Sequence, residues 1–145
     1  MVSGINERGP AVKKIISVLL IVLITISMAS CGGNIDNVNI LEYSSEVYSD
    51  EDISSAIETV LSFFKERFED CTLTEISYAG DESIEGYKNH AERNNADEVI
   101  VFISSFDTGS SGGASFAPNH TYNHWNWILI RDTAGEWRIS DYGLP

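Results

Sequence analysis

The sequence has few cysteines, prolines and basic residues, and each shortage excludes a class of protein. Of its 145 residues, two are cysteine, three are proline and nine are lysine or arginine. Two cysteines cannot build the dense disulfide framework of a small secreted module. Three prolines exclude a proline-rich stalk or linker. The chain is long enough for one ordinary domain, which must be stabilised by a hydrophobic core.

The shortage of basic residues becomes more pronounced when the first thirty residues are set aside. They contain three of the nine basic residues and one of the 22 acidic residues, so the remainder carries a net charge of −15. A nucleic-acid-binding protein needs a basic face to neutralise phosphates. Nucleic acid is therefore excluded as a partner. The same charge opposes electrostatic binding to an anionic membrane surface, so any membrane attachment must be covalent.

The first thirty residues have the pattern of an export signal. Arg8, Lys13 and Lys14 precede an uncharged apolar run over residues 15–29. As a helix this run would be about 22 Å long, which is shorter than the ~30 Å hydrocarbon core of a bilayer. It therefore fits the apolar region of a signal peptide better than a membrane span.

The residues at the end of this run, Met28-Ala29-Ser30-Cys31, resemble the lipobox of bacterial lipoproteins. The resemblance implies that Cys31 receives a diacylglyceryl group with fatty acids such as palmitate, and becomes the new N-terminus after cleavage. Met28 departs from the family, which most often has Leu there. The protein would then be anchored to the extracytoplasmic face of the cell membrane. Two alternatives stay open: ordinary secretory cleavage after Ala29, and an uncleaved apolar anchor.

The pattern divides the chain into a signal peptide over 1–30, a flexible tether over 31–48 and one domain over 49–145. Ser49 and the acidic residues after it predict a helix start, and apolar residues at helical spacing continue to Phe68. The spacing and turn residues then predict a strand over Cys71–Ala79, a short helix ending near Asn94, and strands over Glu98–Phe106, Thr121–Arg131 and Trp137–Tyr142.

This order predicts an α+β domain in which the first, amphipathic helix packs on a four-stranded, mostly antiparallel curved sheet. The opening helix, VIVFISSF and WNWILIRDTAGEWRISDYG resemble a set of uncharacterised lipoproteins of clostridia-like Firmicutes. The resemblance covers about residues 50–143. It implies a cystatin-like or nuclear-transport-factor-2-like roll, and it carries over no catalytic residues.

Three motifs could carry chemistry, and each has a structural interpretation that we favour. Asp107-Thr108-Gly109 matches the active-site segment of aspartic proteases, but that chemistry needs two such carboxylates. His120 and His124 have a zinc-ligand spacing only on a helix, and they fall across a loop and a strand. Cys71 lacks an activating Lys, Arg or His near it in sequence.

The aromatic residues near the end of the chain predict which face of the sheet is buried. Trp125, Trp127 and Leu129 alternate onto one strand face, which we expect to lie under the first helix. The opposite face, at Tyr122, His124 and Asn126, should reach solvent and is the expected contact surface.

The sequence therefore predicts a membrane-anchored binding domain with no catalytic residues, cofactor or metal. Its expected partners are the membrane, through the lipid on Cys31, and an envelope protein, peptide or small ligand. An envelope enzyme that uses a pocket of the roll and a structural subunit of an envelope assembly remain as alternatives.

Overall fold

The computed structural model describes residues 32–145, which form an α+β domain with two α-helices and a five-stranded mixed sheet. The predicted signal peptide and Cys31 lie outside the described residues. In chain order the elements are β1 (Asn39–Ile40), α1 (Asp50–Arg67), β2 (Cys71–Tyr78), α2 (Ser83–Arg93), β3 (Glu98–Thr108), a 3₁₀ turn (Gly112–Ala114), β4 (Thr121–Arg131) and β5 (Arg138–Gly143).

The strands lie in the sheet in the order in which they occur along the chain. β2, β3, β4 and β5 pair antiparallel with their neighbours, while the short β1 pairs parallel with β2. Short connections between sequential neighbours favour this arrangement. We call the face of the sheet covered by α1 the inner face and the opposite face the outer face.

Helix α1 begins at the predicted helix start, where Ser49 is the capping residue and forms a capping box with Asp52. The Ser49 hydroxyl accepts a hydrogen bond from the Asp52 N–H at 3.1 Å, and the Asp52 carboxylate accepts one from the Ser49 N–H at 3.2 Å. These bonds satisfy N–H groups that a helix start leaves without partners. The residues of α1 that are buried against the sheet are Ile53, Ala56, Ile57, Val60 and Phe64.

Helix α2 is shorter and covers only part of the outer face. Its buried residue, Ala91, packs with Val99 and Val101 of β3 and with Ile128 and Ile130 of β4. The central strand is therefore buried on both faces along its first half, as its nearly continuous apolar sequence predicts.

The segment before α1, which was predicted as a flexible tether, instead pairs with β2 and adds a fifth strand to the sheet. Asn34 N–H donates to the Cys71 carbonyl at 2.8 Å, and β1 then pairs with β2. The predicted strand count is one too low, because β1 has only two residues and no alternating pattern of its own. Tyr48, near the end of the expected tether, is buried, and its hydroxyl donates to the Val99 carbonyl at 2.8 Å.

Trp127 occupies the centre of the inner face, under α1 as predicted. Its side chain is fully buried, and its ring lies 5.2 Å from the ring of Phe68 and 6.4 Å from that of Phe64. The indole N–H donates to the Ser104 hydroxyl at 2.8 Å. The only polar atom of this large side chain therefore has a partner inside the core.

Arg131, at the end of β4, joins the first turn of α1 to the start of β3. Its guanidinium donates to Asp52 at 2.7 Å and to Glu98 at 2.6 Å, and it lies 4.2 Å from the ring centre of Trp137. The hydrogen bond from Arg131 lowers the pKa of Asp52 below its ordinary value, and bonds from Ser49 lower it further. Burial, in turn, raises the pKa of the neighbouring Tyr48 to about 12.

We expect Trp127→Ala to reduce the free energy of unfolding by about 3–5 kcal/mol, the usual range for removing a large buried aromatic side chain. His124→Asn is the control, with an expected change within about 0.5 kcal/mol because the side chain is exposed. Asparagine suits this control because the φ of 57° at His124 is one that it tolerates. Urea titration of residues 32–145 measures both, and equal losses would contradict the packing described here.

We expect acid to destabilise the domain partly through Asp52. The pKa of Asp52 is lower in the folded state than in the unfolded state. Its contribution to the free energy of unfolding is therefore fully present above the unfolded-state pKa and is lost as the pH falls through the lower folded-state pKa. Urea titrations between pH 7 and pH 3 should therefore show a smaller loss of stability for Asp52→Asn than for the wild type. Asp50→Asn, in the same helical turn, should keep the wild-type dependence, since Asp50 makes no side-chain hydrogen bond within residues 32–145.

Candidate ligand-binding site

A half-open hollow of about 470 Å³ occupies the part of the outer face that α2 leaves uncovered. Strands β2, β3 and β4 form it. It is lined by Glu75, Ser77, Ile103, Ser104, Ser105, Asn123 and His124. Its size is within the range of pockets that hold small ligands.

Two β-bulges on either side of Ser105 shape this hollow. In β2, Leu73 pairs with Phe106 and Glu75 with Ser105, which leaves Thr74 as an extra residue. In β4, Trp125 pairs with Ser104 and Tyr122 pairs with Phe106. Two residues of β4, Asn123 and His124, therefore lie opposite the single residue Ser105. Bulges bend a sheet and redirect side chains, and here two of them act at the same level of the central strand.

The bulge in β4 turns two consecutive side chains toward the hollow. Asn123 and His124 both line it, although successive residues of a regular strand point to opposite faces. The φ of His124 is 57°, in the left-handed region that a bulge residue adopts. Strand β4 therefore offers an amide and an imidazole to the same site.

The hollow combines an apolar residue with polar groups that have bonding capacity to spare. The side chains of Ser105, Asn123 and His124 make no hydrogen bond to another residue within 32–145. Glu75 accepts a weak bond of 3.3 Å from the Asn39 amide, and the Ser77 hydroxyl donates to the Ile103 carbonyl at 3.3 Å. The site can thus offer donors and acceptors to a polar ligand above the side chain of Ile103.

The prediction that Tyr122, His124 and Asn126 lie on the face opposite to the tryptophans is confirmed for two of the three residues. His124 lines the hollow, and Asn126 lies on the outer face, where its amide donates to the Tyr87 hydroxyl at 3.3 Å. The prediction is wrong for Tyr122, which stacks on Phe106 of the inner-face core at 5.0 Å. The extra residue of the bulge reverses the alternation on which the prediction depended.

The segment that resembles the aspartic-protease motif is followed by a loop whose N–H groups bind the carboxylate of Asp70, not that of Asp107. Asp107 is exposed and accepts a hydrogen bond from the Thr121 hydroxyl at 2.5 Å. Within the loop, Ser111 N–H and Gly112 N–H donate to the Asp70 carboxylate at 2.8 and 3.1 Å. Hydrogen bonds from Ser111 and Gly112 lower the pKa of Asp70 below its ordinary value. The motif therefore has a structural role in shaping this loop.

The remaining candidate residues do not gather into a reactive centre. His120 packs edge-on against the Tyr122 ring at 4.8 Å, and His124 lies apart from it in the hollow. Residues 32–145 contain no group of three His, Cys, Asp or Glu side chains that could hold a metal ion. Cys71 is buried and forms no disulfide within this range, and burial raises the pKa of its thiol to about 11.

Sequence reasoning missed Ser105, Glu75 and Ser77, because their strands meet only in the folded sheet. No family model, curated protein or solved structure matches this chain. The resemblance to clostridia-like lipoproteins therefore stays a prediction. None of the helices within residues 32–145 has the length and apolar character needed to cross a membrane.

Proposed function

We propose that this chain is an extracytoplasmic lipoprotein, anchored to the cell membrane through a lipid on Cys31. Support comes from the charged start, the uncharged run over residues 15–29 and the Met28-Ala29-Ser30-Cys31 segment. The net charge of −15 that follows Ser30 also supports a covalent anchor, because it opposes electrostatic adsorption to anionic lipids. The resemblance to clostridia-like lipoproteins and to cystatin-like or nuclear-transport-factor-2-like rolls belongs to the same proposal.

We further propose that the domain binds a small polar ligand or a peptide in the hollow around Ser105. The supporting observation is the placement of Ser105, Asn123 and His124 beside Ile103, with unused hydrogen-bonding capacity within the described residues. Binding sites commonly combine an apolar surface with a few polar groups that fix the ligand's orientation. Proteins also use bulges to direct side chains into such sites.

Binding without catalysis is the form of this proposal that the geometry supports. Nucleophilic catalysis needs a nucleophile within hydrogen-bond reach of a base. Ser105 and His124 both line the hollow, yet no hydrogen bond joins their side chains among the bonds of residues 32–145. Glu75 is the carboxylate of this lining, and within residues 32–145 its side chain accepts a hydrogen bond from the Asn39 amide and none from His124, so it does not orient the imidazole as the third member of a triad would.

We expect Cys31→Ala to abolish membrane retention, because the thiol that would carry the lipid is lost. Two or more acyl chains anchor a protein stably, at about 0.8 kcal/mol for each buried CH₂ group. Fractionation of cells that express each form measures retention, and Cys71→Ala is the matched control that should remain in the membrane fraction. Equal membrane association of the Cys31→Ala variant and the wild type would contradict lipid anchoring and favour an uncleaved apolar anchor.

We expect the wild-type protein, purified in mild detergent from its own membranes, to retain a small molecule or peptide in native mass spectra. His124→Asn should reduce this occupancy at least about tenfold, roughly 1.4 kcal/mol of binding, since it removes the ring from the hollow. His120→Asn is the matched control and should leave occupancy unchanged. A retained protein subunit in place of a small ligand would favour the structural alternative, and equal occupancy in all three proteins would contradict binding at this site.

A further inference from the structure

The first described residues pack tightly against the end of α1. Gly33 N–H donates to the Lys65 carbonyl at 3.0 Å, and Asn34 N–H donates to the Cys71 carbonyl at 2.8 Å. A Cβ atom at Gly32 would lie 2.0 Å from the Lys65 carbonyl oxygen, and one at Gly33 would lie 2.6 Å from the Phe64 ring. The two glycines therefore form a close contact between backbones and are not a free linker.

Cys31 directly precedes Gly32 in the chain, so a lipid on its thiol would be attached one residue away from this contact. Consecutive Cα atoms are about 3.8 Å apart, so Cys31 lies within one residue of a position held against the last turn of α1. We propose that this end of the domain rests directly on the membrane surface, with no flexible tether between the lipid and the domain. The inference rests on the proposed lipidation of Cys31. We call this end the seated end, and it comprises the last turn of α1, the start of β2 and the loop over residues 109–120.

The charge distribution fits a lipid surface as the partner of the seated end. The 13 residues from Thr108 to His120 include no Asp, Glu, Lys or Arg, although the domain as a whole is strongly acidic. Asp70, beside this loop, directs its carboxylate to the N–H groups of Ser111 and Gly112. The loop therefore adds no negative charge of its own that an anionic leaflet would repel, and the acidic side chains next to it are Glu69, which is exposed, and Asp70.

Other residues of the seated end also suit an interface of lipid and water. Lys65 and Arg67, two of the six basic residues after Ser30, are exposed in the last turn of α1, with Glu66 between them. The loop presents Phe116 as a half-buried ring next to the exposed Ala117 and Pro118. Basic and aromatic side chains are the types that settle at headgroup level.

The seating would also place the hollow near the membrane surface. Glu75 lies four residues from Cys71, where β2 leaves the seated end, which is about 13 Å along a strand. A ligand in the hollow would then be held close to the headgroups, so molecules at the membrane surface would have direct access to it.

The test compares thiol labelling at two exposed serines, one at each end of the domain. Ser115 lies in the loop of the seated end, and Ser54 lies in α1 eleven residues before Lys65, about 16 Å away along the helix. Ser115→Cys and Ser54→Cys are nearly isosteric changes. The lipidated proteins are placed in vesicles of phosphatidylglycerol and phosphatidylethanolamine, and their reaction with a polyethylene-glycol maleimide is compared with that of residues 32–145 in solution. The unsubstituted protein, with Cys71 buried, gives the background.

We expect anchoring to slow labelling of the Ser115→Cys variant at least about tenfold and that of the Ser54→Cys variant less than about twofold. Insertion of ten Gly and Ser residues between Cys31 and Gly32, which reaches up to about 33 Å, should restore labelling at position 115. Ala117→Cys provides a second probe of the same loop.

Equal labelling rates at positions 115 and 54 in floated vesicles would overturn the seating while leaving lipid anchoring intact. Protection at 115 that persists after the insertion would also overturn it, since the short connection would not be its cause. Failure of the unmodified lipoprotein sequence to anchor to vesicles or membranes would overturn the proposed function itself.

Discussion

The packing of α1 on the inner face, centred on Trp127, is the interaction on which the rest of the domain depends. Because α1 takes the whole inner face, the apolar residues of β3 and β4 that point outward need a separate cover. Helix α2 is short and buries only Ala91 against them, so it covers one half. The other half of the outer face is left open, and there the strands carry Ser, Asn, His and Glu residues around the single apolar side chain of Ile103.

Arg131 adds a second constraint at the end of the domain opposite to the hollow. One guanidinium holds the start of α1, the start of β3 and the indole ring before β5. A buried charge without partners is costly, so these groups must stay together. This arrangement fixes one end of α1, while the glycine contact at Lys65 fixes the other.

The sequence allowed accurate prediction wherever the signal was local. The capping residue Ser49 defines the start of α1, and the bounds of β4 match the predicted Thr121–Arg131. The two-residue β1 could not be predicted, because it forms only against β2. Tyr122 was assigned to the wrong face, since the bulge between it and Trp125 reverses the alternation. The alternation predicted correctly that His124 lies on the surface. It could not predict that His124 lies in the same hollow as Ser105 and Glu75, because that depends on the bulge and on the pairing of three strands.

The glycine contact has a consequence for the order of events during maturation. A protease needs an extended, accessible segment on both sides of the bond that it cuts. In the folded domain Gly33 and Asn34 are instead hydrogen-bonded to Lys65 and Cys71. If a peptidase cuts before Cys31, the residues next to the cut must be free of these bonds at that moment. Processing would then have to precede the docking of residues 32–34, including the bridge between Asn34 and Thr72.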